Sequence, residues 1–119
     1  MNNEDIRIYC ISKAGVAESL PFDDVSLVFK VMNKIFAILS LDANPSRINL
    51  KCAPDDAIDL RERYSGVIPG YHMNKQLWNT VILDGSFSTK EFLQWIDNSY
   101  DLIVASLPKK RQEELKQLK

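Results

Sequence analysis

The sequence predicts a single α+β domain in which helices pack on one face of an antiparallel sheet and leave the other face open. Three observations carry this expectation. Apolar residues recur at helical spacing in segments that have capping or breaking residues at their ends. Between those segments lie short runs rich in β-branched and aromatic residues, separated by polar or Pro/Gly turns. One such run, Arg47 to Cys52, alternates cleanly. Ile48, Leu50 and Cys52 fall on one side and Arg47, Asn49 and Lys51 on the other, as in a sheet packed on one face and wet on the other. The expected order is α-β(4)-α-β-α over residues 1–108, followed by a basic polar tail over 109–119.

Residues 4–12 read as the first helix. Asn2 or Asn3 can cap it, Glu4 and Asp5 suit the positive end of its dipole, and Ile6, Tyr9 and Cys10 share a face. Val16 to Leu20 is a weak strand, whereas Leu27 to Met32 and Ile35 to Leu41 are strong strands joined by an Asn33-Lys34 turn. Pro54 to Tyr64 reads as the second helix, with Pro54 in its first turn and Asp59 spaced to pair with Arg63. Pro69-Gly70 is read as a type II turn, with Gly70 at a positive φ. Leu77 to Leu83 is the next strand. Ser88 and Glu91 form a capping-box pattern ahead of Phe92, Ile96, Tyr100 and Ile103, the apolar stripe of the third helix. The tail is either a short exposed helix or a frayed end.

Composition narrows the function classes. A net charge of −1 argues against a generally cationic nucleic-acid binder. The charge is uneven, because Lys109, Lys110, Arg111, Lys116 and Lys119 outnumber Glu113 and Glu114 in the tail. The N-terminal segment is polar and does not read as a secretory signal, and no apolar run is long enough to cross a bilayer. Cys10 and Cys52 are far apart and form no CxxC, so a reduced, cytoplasmic setting is expected.

No catalytic constellation is recognisable, so the expectation is a protein that is not an enzyme. The sequence contains no nucleophile elbow, zinc-protease motif or phosphate-binding loop. Cys52 and His72 could approach in space, but Cys52 falls on the apolar side of its strand and reads as a buried thiol. One His and two Cys are too few for a structural zinc site, and neither a metal nor another cofactor is expected. Two stretches can bind. Lys30 joins Arg47, Asn49 and Lys51 on the wet side of the sheet, either as solvated cover or as a cationic platform. The run from Pro69 to Gly85, PGYHMNKQLWNTVILDG, supplies polar groups from His72, Asn74, Lys75, Gln76, Asn79 and Thr80 and ring faces from Tyr71 and Trp78. These groups serve equally to bind a ligand or to tie down a loop.

The same passages carry a resemblance. DIRIYCISKAGVAESLPFDD, SLVFKV, KIFAILSLD, INLKCAPDDAIDLRERY, PGYHMNKQLWNTVILDG and IDNSYDLIVASLPKK resemble the MmcQ/YjbR family of small bacterial proteins, over nearly the whole chain to about Lys110. The resemblance implies a two-layer fold related to the frataxin (CyaY-like) architecture. It also implies DNA binding through a "double wing" of hairpins, with no enzymatic chemistry. Frataxin-type iron binding rests on an acidic first-helix ridge, and here Glu4 and Asp5 are balanced by Arg7. The candidate nucleic-acid or ligand-binding residues are therefore Arg47, Asn49, Lys51, His72, Asn74, Lys75, Trp78 and Asn79. DNA is one possible partner, and a protein or a small anionic ligand is the other. No membrane partner is expected.

Overall fold

Six strands form one antiparallel sheet, β1 (Val16–Ser19), β2 (Ser26–Val31), β3 (Lys34–Ser40), β4 (Arg47–Lys51), β5 (Val67–Pro69) and β6 (Trp78–Ile82), in the order β1-β2-β3-β4-β6-β5. The computed structural model describes residues 1–71 and 73–118. Four helices complete the chain: α1 (Asn3–Ile11), α2 (Pro54–Arg63), α3 (Thr89–Ala105) and α4 (Lys109–Gln117). The α+β class, the antiparallel sheet and the first three helices agree with the sequence reading. The element order is longer than expected by β5 and α4. β5 has only three residues, too few to show a period of two.

The sheet is amphipathic by register. Leu27 pairs with Leu39, Leu39 with Ile48, Ile48 with Val81, and Val81 with Val67, so these side chains line one face. That face forms the core with Ile6 and Cys10 of α1 and with Phe92, Ile96, Tyr100 and Ile103 of α3. α3 lies over β2, β3 and β4, while α2 lies over β5 and β6. Both expected caps are present. Asn2 and Asp5 close a reciprocal box on α1, and Ser88 and Glu91 do the same on α3.

β2 and β3 are joined by Met32-Asn33 and not by Asn33-Lys34. Both residues have positive φ, 47° and 72°, the signature of a two-residue type I′ hairpin. A bulge follows. Phe29 pairs with Ala37 but Lys30 pairs with Ile35, leaving Phe36 as the extra residue. Its ring packs edge-on against Tyr100, with centroids 5.4 Å apart. The bulge also opens the ladder. β3 and β4 pair as far as Ala37 and Leu50, and the next rung, Lys51 to Phe36, is not made directly. The fully buried Ser99 fills it: its Oγ accepts from the Lys51 N–H at 2.9 Å and donates to the Phe36 carbonyl at 2.6 Å.

Within the tail, Lys109–Gln117 forms a helix that packs on the domain. Leu115 is buried in the core cluster and sits against Gly15, where a Cβ would lie 2.5 Å from the leucine Cδ1. Gly15 also has a φ of +73°, so the turn between α1 and β1 needs glycine on both counts. Gln112 Nε2 donates to the Leu107 carbonyl and fixes the start of α4 on the end of α3.

Ser99→Ala removes one hydroxyl and strands two buried backbone groups. The expected loss is roughly 1–3 kcal/mol of unfolding free energy with an unchanged denaturant slope. Urea denaturation followed by circular dichroism measures it. A loss within about 0.5 kcal/mol, as for an ordinary surface change, would rule the bridge out as a fixing point.

Candidate functional site

The face of the sheet away from the helices carries Lys30, Ile38, Ser40, Arg47, Asn49 and Thr80, as the register requires. Two loops rise beside it. Residues 20–25 connect β1 to β2, and residues 70–77 connect β5 to β6. The second loop is drawn over the face by Asn49 and Thr80. Thr80 Oγ1 donates to Asn49 Oδ1 at 2.6 Å and accepts from the Tyr71 N–H at 3.0 Å. Asn49 Nδ2 donates to the Tyr71 carbonyl. Lys75 Nζ donates to the Gly70 carbonyl at 3.1 Å and braces the loop from within.

Between these walls lies a cleft of about 570 Å³, within the size range of small-ligand sites. Its lining includes Ile38, Arg47 and Asn49 of the sheet face, with Phe22 and Tyr71 from these loops and Asp42 from the connection between β3 and β4. Phe22 and Tyr71 are 67% and 62% exposed, unusual for aromatic rings on a small protein. Arg47 Nε is buried and has no hydrogen-bond partner among the described residues. Asp23 also borders the cleft, but its carboxylate is held by the N–H groups of Val25 and Ser26 and by the Ser26 hydroxyl. Those bonds to its own loop hold its pKa below the usual value.

The structure thus separates the expected site residues. Arg47, Asn49 and Lys51 share the open face, and Asn74 and Lys75 are exposed on the adjoining loop. Trp78 is buried opposite Lys51. Asn79 faces the helices and is 2% exposed: it accepts from Arg61 Nε at 2.7 Å and donates to the Ala57 carbonyl. Arg61 also donates to the Lys75 carbonyl, so Asn79 ties α2 to the sheet and to the 70–77 loop. His72 lies outside the described residues. The sequence reading missed Phe22 and Asp42, which sit in connections with no periodic signal. Gly70 does not have positive φ. It is needed because a Cβ would lie 2.9 Å from both the Cβ and the carbonyl oxygen of Trp78.

The cations do not form one patch. Arg47 pairs with Ser40, at the end of the sheet where Asp23 and Asp42 flank the strands. Lys109, Lys110 and Arg111 follow α3 at the opposite end, where Lys34 Nζ donates to Ser106 Oγ. Cys52 lies past β4 on the helix side, and burial, then Asp56, push its thiol up to about 11. Cys10 is buried in the core with a thiol raised to about 12, chiefly by burial. Neither thiol is an activated nucleophile. Among the described residues no group of three His, Cys, Asp or Glu is placed to hold a metal ion, and no helix is long and apolar enough to cross a membrane.

Comparison with known proteins is consistent over most of the chain. The YjbR family model matches residues 11–102. The chain is 34% identical to the Escherichia coli (strain K12) protein YjbR, over 99% of this chain and 100% of that one. A crystal structure of a Deinococcus radiodurans protein with a DUF419 domain superposes with a TM-score of 0.89 at 34% identity, covering 95% of this chain and 86% of that one. A Pseudomonas syringae crystal structure gives a TM-score of 0.73 at 28% identity, covering 86% and 98%.

Two measurements check these placements. Asn79→Ala leaves Arg61 Nε without its acceptor and the Ala57 carbonyl without its donor, and costs about 1–3 kcal/mol in urea denaturation, whereas the exposed Gln76→Ala stays within about 0.5 kcal/mol. Alkylation of Cys52 by iodoacetamide at about pH 8 runs at least about tenfold slower than for a free thiol, because its thiolate is scarce. Mass spectrometry of the native protein reads the rate, and alkylation at the free-thiol rate would contradict the raised pKa.

Proposed function

The chain belongs to the YjbR family, and from that premise we propose that it works by binding and not by catalysis, with the open sheet face taking a flat anionic ligand of the nucleotide class. One observation carries the reading: a buried guanidinium N–H of Arg47, without a hydrogen-bond partner among the described residues, lies in a cleft whose lining includes two exposed aromatic side chains. Leaving a buried donor unpaired is costly, and a phosphate or carboxylate oxygen is the partner that repays it best. Phe22 and Tyr71 offer ring faces on which a base can stack, worth about 1–3 kcal/mol per base. Asp42 supplies an acceptor for a sugar hydroxyl or a base amino group.

That chemistry has two sources, a free nucleotide or an unpaired base of DNA. Lys51 and Lys30 lie farther along the same face, toward the end of the sheet opposite Arg47, and favour the polymer, whose successive phosphates extend along the face. Duplex binding through paired hairpins, as the double-wing description has it, would draw instead on the basic end at Lys109, Lys110 and Arg111.

Fluorescence anisotropy with labelled single-stranded and duplex DNA at two salt concentrations, beside thermal shift with mononucleotides, separates these sources. The expected result is binding of a mononucleotide or single strand that weakens about tenfold or more in both Arg47→Ala and Phe22→Ala. Strand binding alone, falling steeply with salt, identifies the polymer as the source. Duplex binding that survives these substitutions and is lost in Lys109→Ala/Lys110→Ala would move the function to the other end of the molecule. No binding of any of the three at low salt would end the nucleotide reading.

A further inference from the structure

A second concavity lies on the opposite face, between α2 and α3. It encloses about 560 Å³ over a floor of Leu50 and Val81. The two helices run antiparallel, because Tyr64 just past the end of α2 donates to Glu91 at the start of α3 and Lys51, just ahead of α2, meets Ser99. α3 spends one stripe on the core, and a neighbouring stripe of Trp95, Asn98, Leu102 and Ala105 turns into this groove. Leu102 is 36% exposed there.

The groove has a polarity. At one end the rings of Tyr64 and Trp95 meet edge to face, 5.1 Å between centroids, with Phe87 4.9 Å from Trp95. At the other end the start of α2 brings Asp56 opposite the later turns of α3, which carry Asp101. Arg63 is already committed, to Asp59 at 3.3 Å and to the Tyr64 ring. Asp56 and Asp101 have no ion pair among the described residues. Both act on buried neighbours, Asp56 raising the Cys52 thiol and Asp101 the Tyr100 hydroxyl, after burial in each case.

We propose that the groove between α2 and α3 is a second binding site, for a small organic cation with a flat or aliphatic body. The ammonium or amidinium head lies between Asp56 and Asp101, and the body lies along Leu60, Leu102 and Trp95. The charge complementarity is local, since the remaining lining cation, Lys51, leads its side chain to the other face with Trp78. A volume of this size fits a molecule of roughly drug-like dimensions and is too small for a helix. This site stands apart from the Arg47 cleft, so either can fail without the other.

The test is calorimetric and fluorescence titration of the whole protein with benzamidine and phenethylammonium, set beside benzyl alcohol and phenylacetate as neutral and anionic counterparts. The expected result is saturable millimolar or tighter binding of the two cations that changes tryptophan emission, with the counterparts at least about tenfold weaker. Asp56→Asn with Asp101→Asn, nearly isosteric and therefore folded, should abolish the preference for the cations. Equal binding of cation, alcohol and acid would overturn the proposal, as would cation binding that the double substitution leaves intact. Absence of saturable binding by either cation would overturn it too.

Discussion

The serine hydroxyl at position 99 holds together what the sheet alone would leave apart. A bulge at Phe36 lets two successive residues of β3 address the helices, and the cost is a broken rung between β3 and β4. A buried peptide N–H and a buried carbonyl cannot be left there. Ser99 supplies both a donor and an acceptor, and its place on α3 sets how deeply that helix seats. Phe36, Tyr100 and the strip from Leu39 to Val81 pack to the depth that this contact allows. The position of α3 then fixes one wall of the groove that it shares with α2.

Periodicity made most of this fold legible. β4 shows it most simply, because Ile48 and Leu50 alternate with Arg47 and Asn49 and each pair goes to the face that its chemistry prefers. α3 was equally open to reading, with Ser88 and Glu91 announcing its start. What escaped has no periodicity to show. β5 is three residues long, and the Met32-Asn33 turn differs by one residue from the expected one, a difference that strand propensity cannot resolve. Of the expected binding residues, Arg47, Asn49 and Lys51 lie on the open face to which alternation assigns them. Asn79 was not, because the polar content of the 69–85 run masked its parity. It lies two residues from Val81, on the same side of β6, and that spacing alone would have put it among the helices. Phe22 and Asp42 come together only through tertiary folding.

The two faces of one thin sheet therefore do different work within a few ångströms of each other. Asn49 and Leu50 are sequence neighbours, as are Thr80 and Asn79, yet in each pair one member borders or braces the open cleft and the other belongs to the helix layer. Ordinary β alternation is enough to produce this separation. It also means that the polar residues of the 69–85 run divide into two groups. Asn79 serves stability, whereas Tyr71 and Asn49 shape a surface that solvent and ligands can reach. Polar density in a sequence is thus a poor guide to binding until the side of the sheet is known.

The docking of α4 through Leu115 has an electrical consequence. Because that contact holds the helix against Gly15, Lys109, Lys110 and Arg111 at its start stay near Lys34 at one end of the strands. Glu4, Asp5, Asp23, Asp24 and Asp42 lie toward the other end, where Asn3 bonds the Leu41 carbonyl. A chain with a net charge of only −1 therefore holds this cationic cluster and these carboxylates apart along its length, with Arg47 set among the carboxylates. Such a separation makes the approach of a charged partner depend on orientation, and the dependence fades as ionic strength shortens the Debye length.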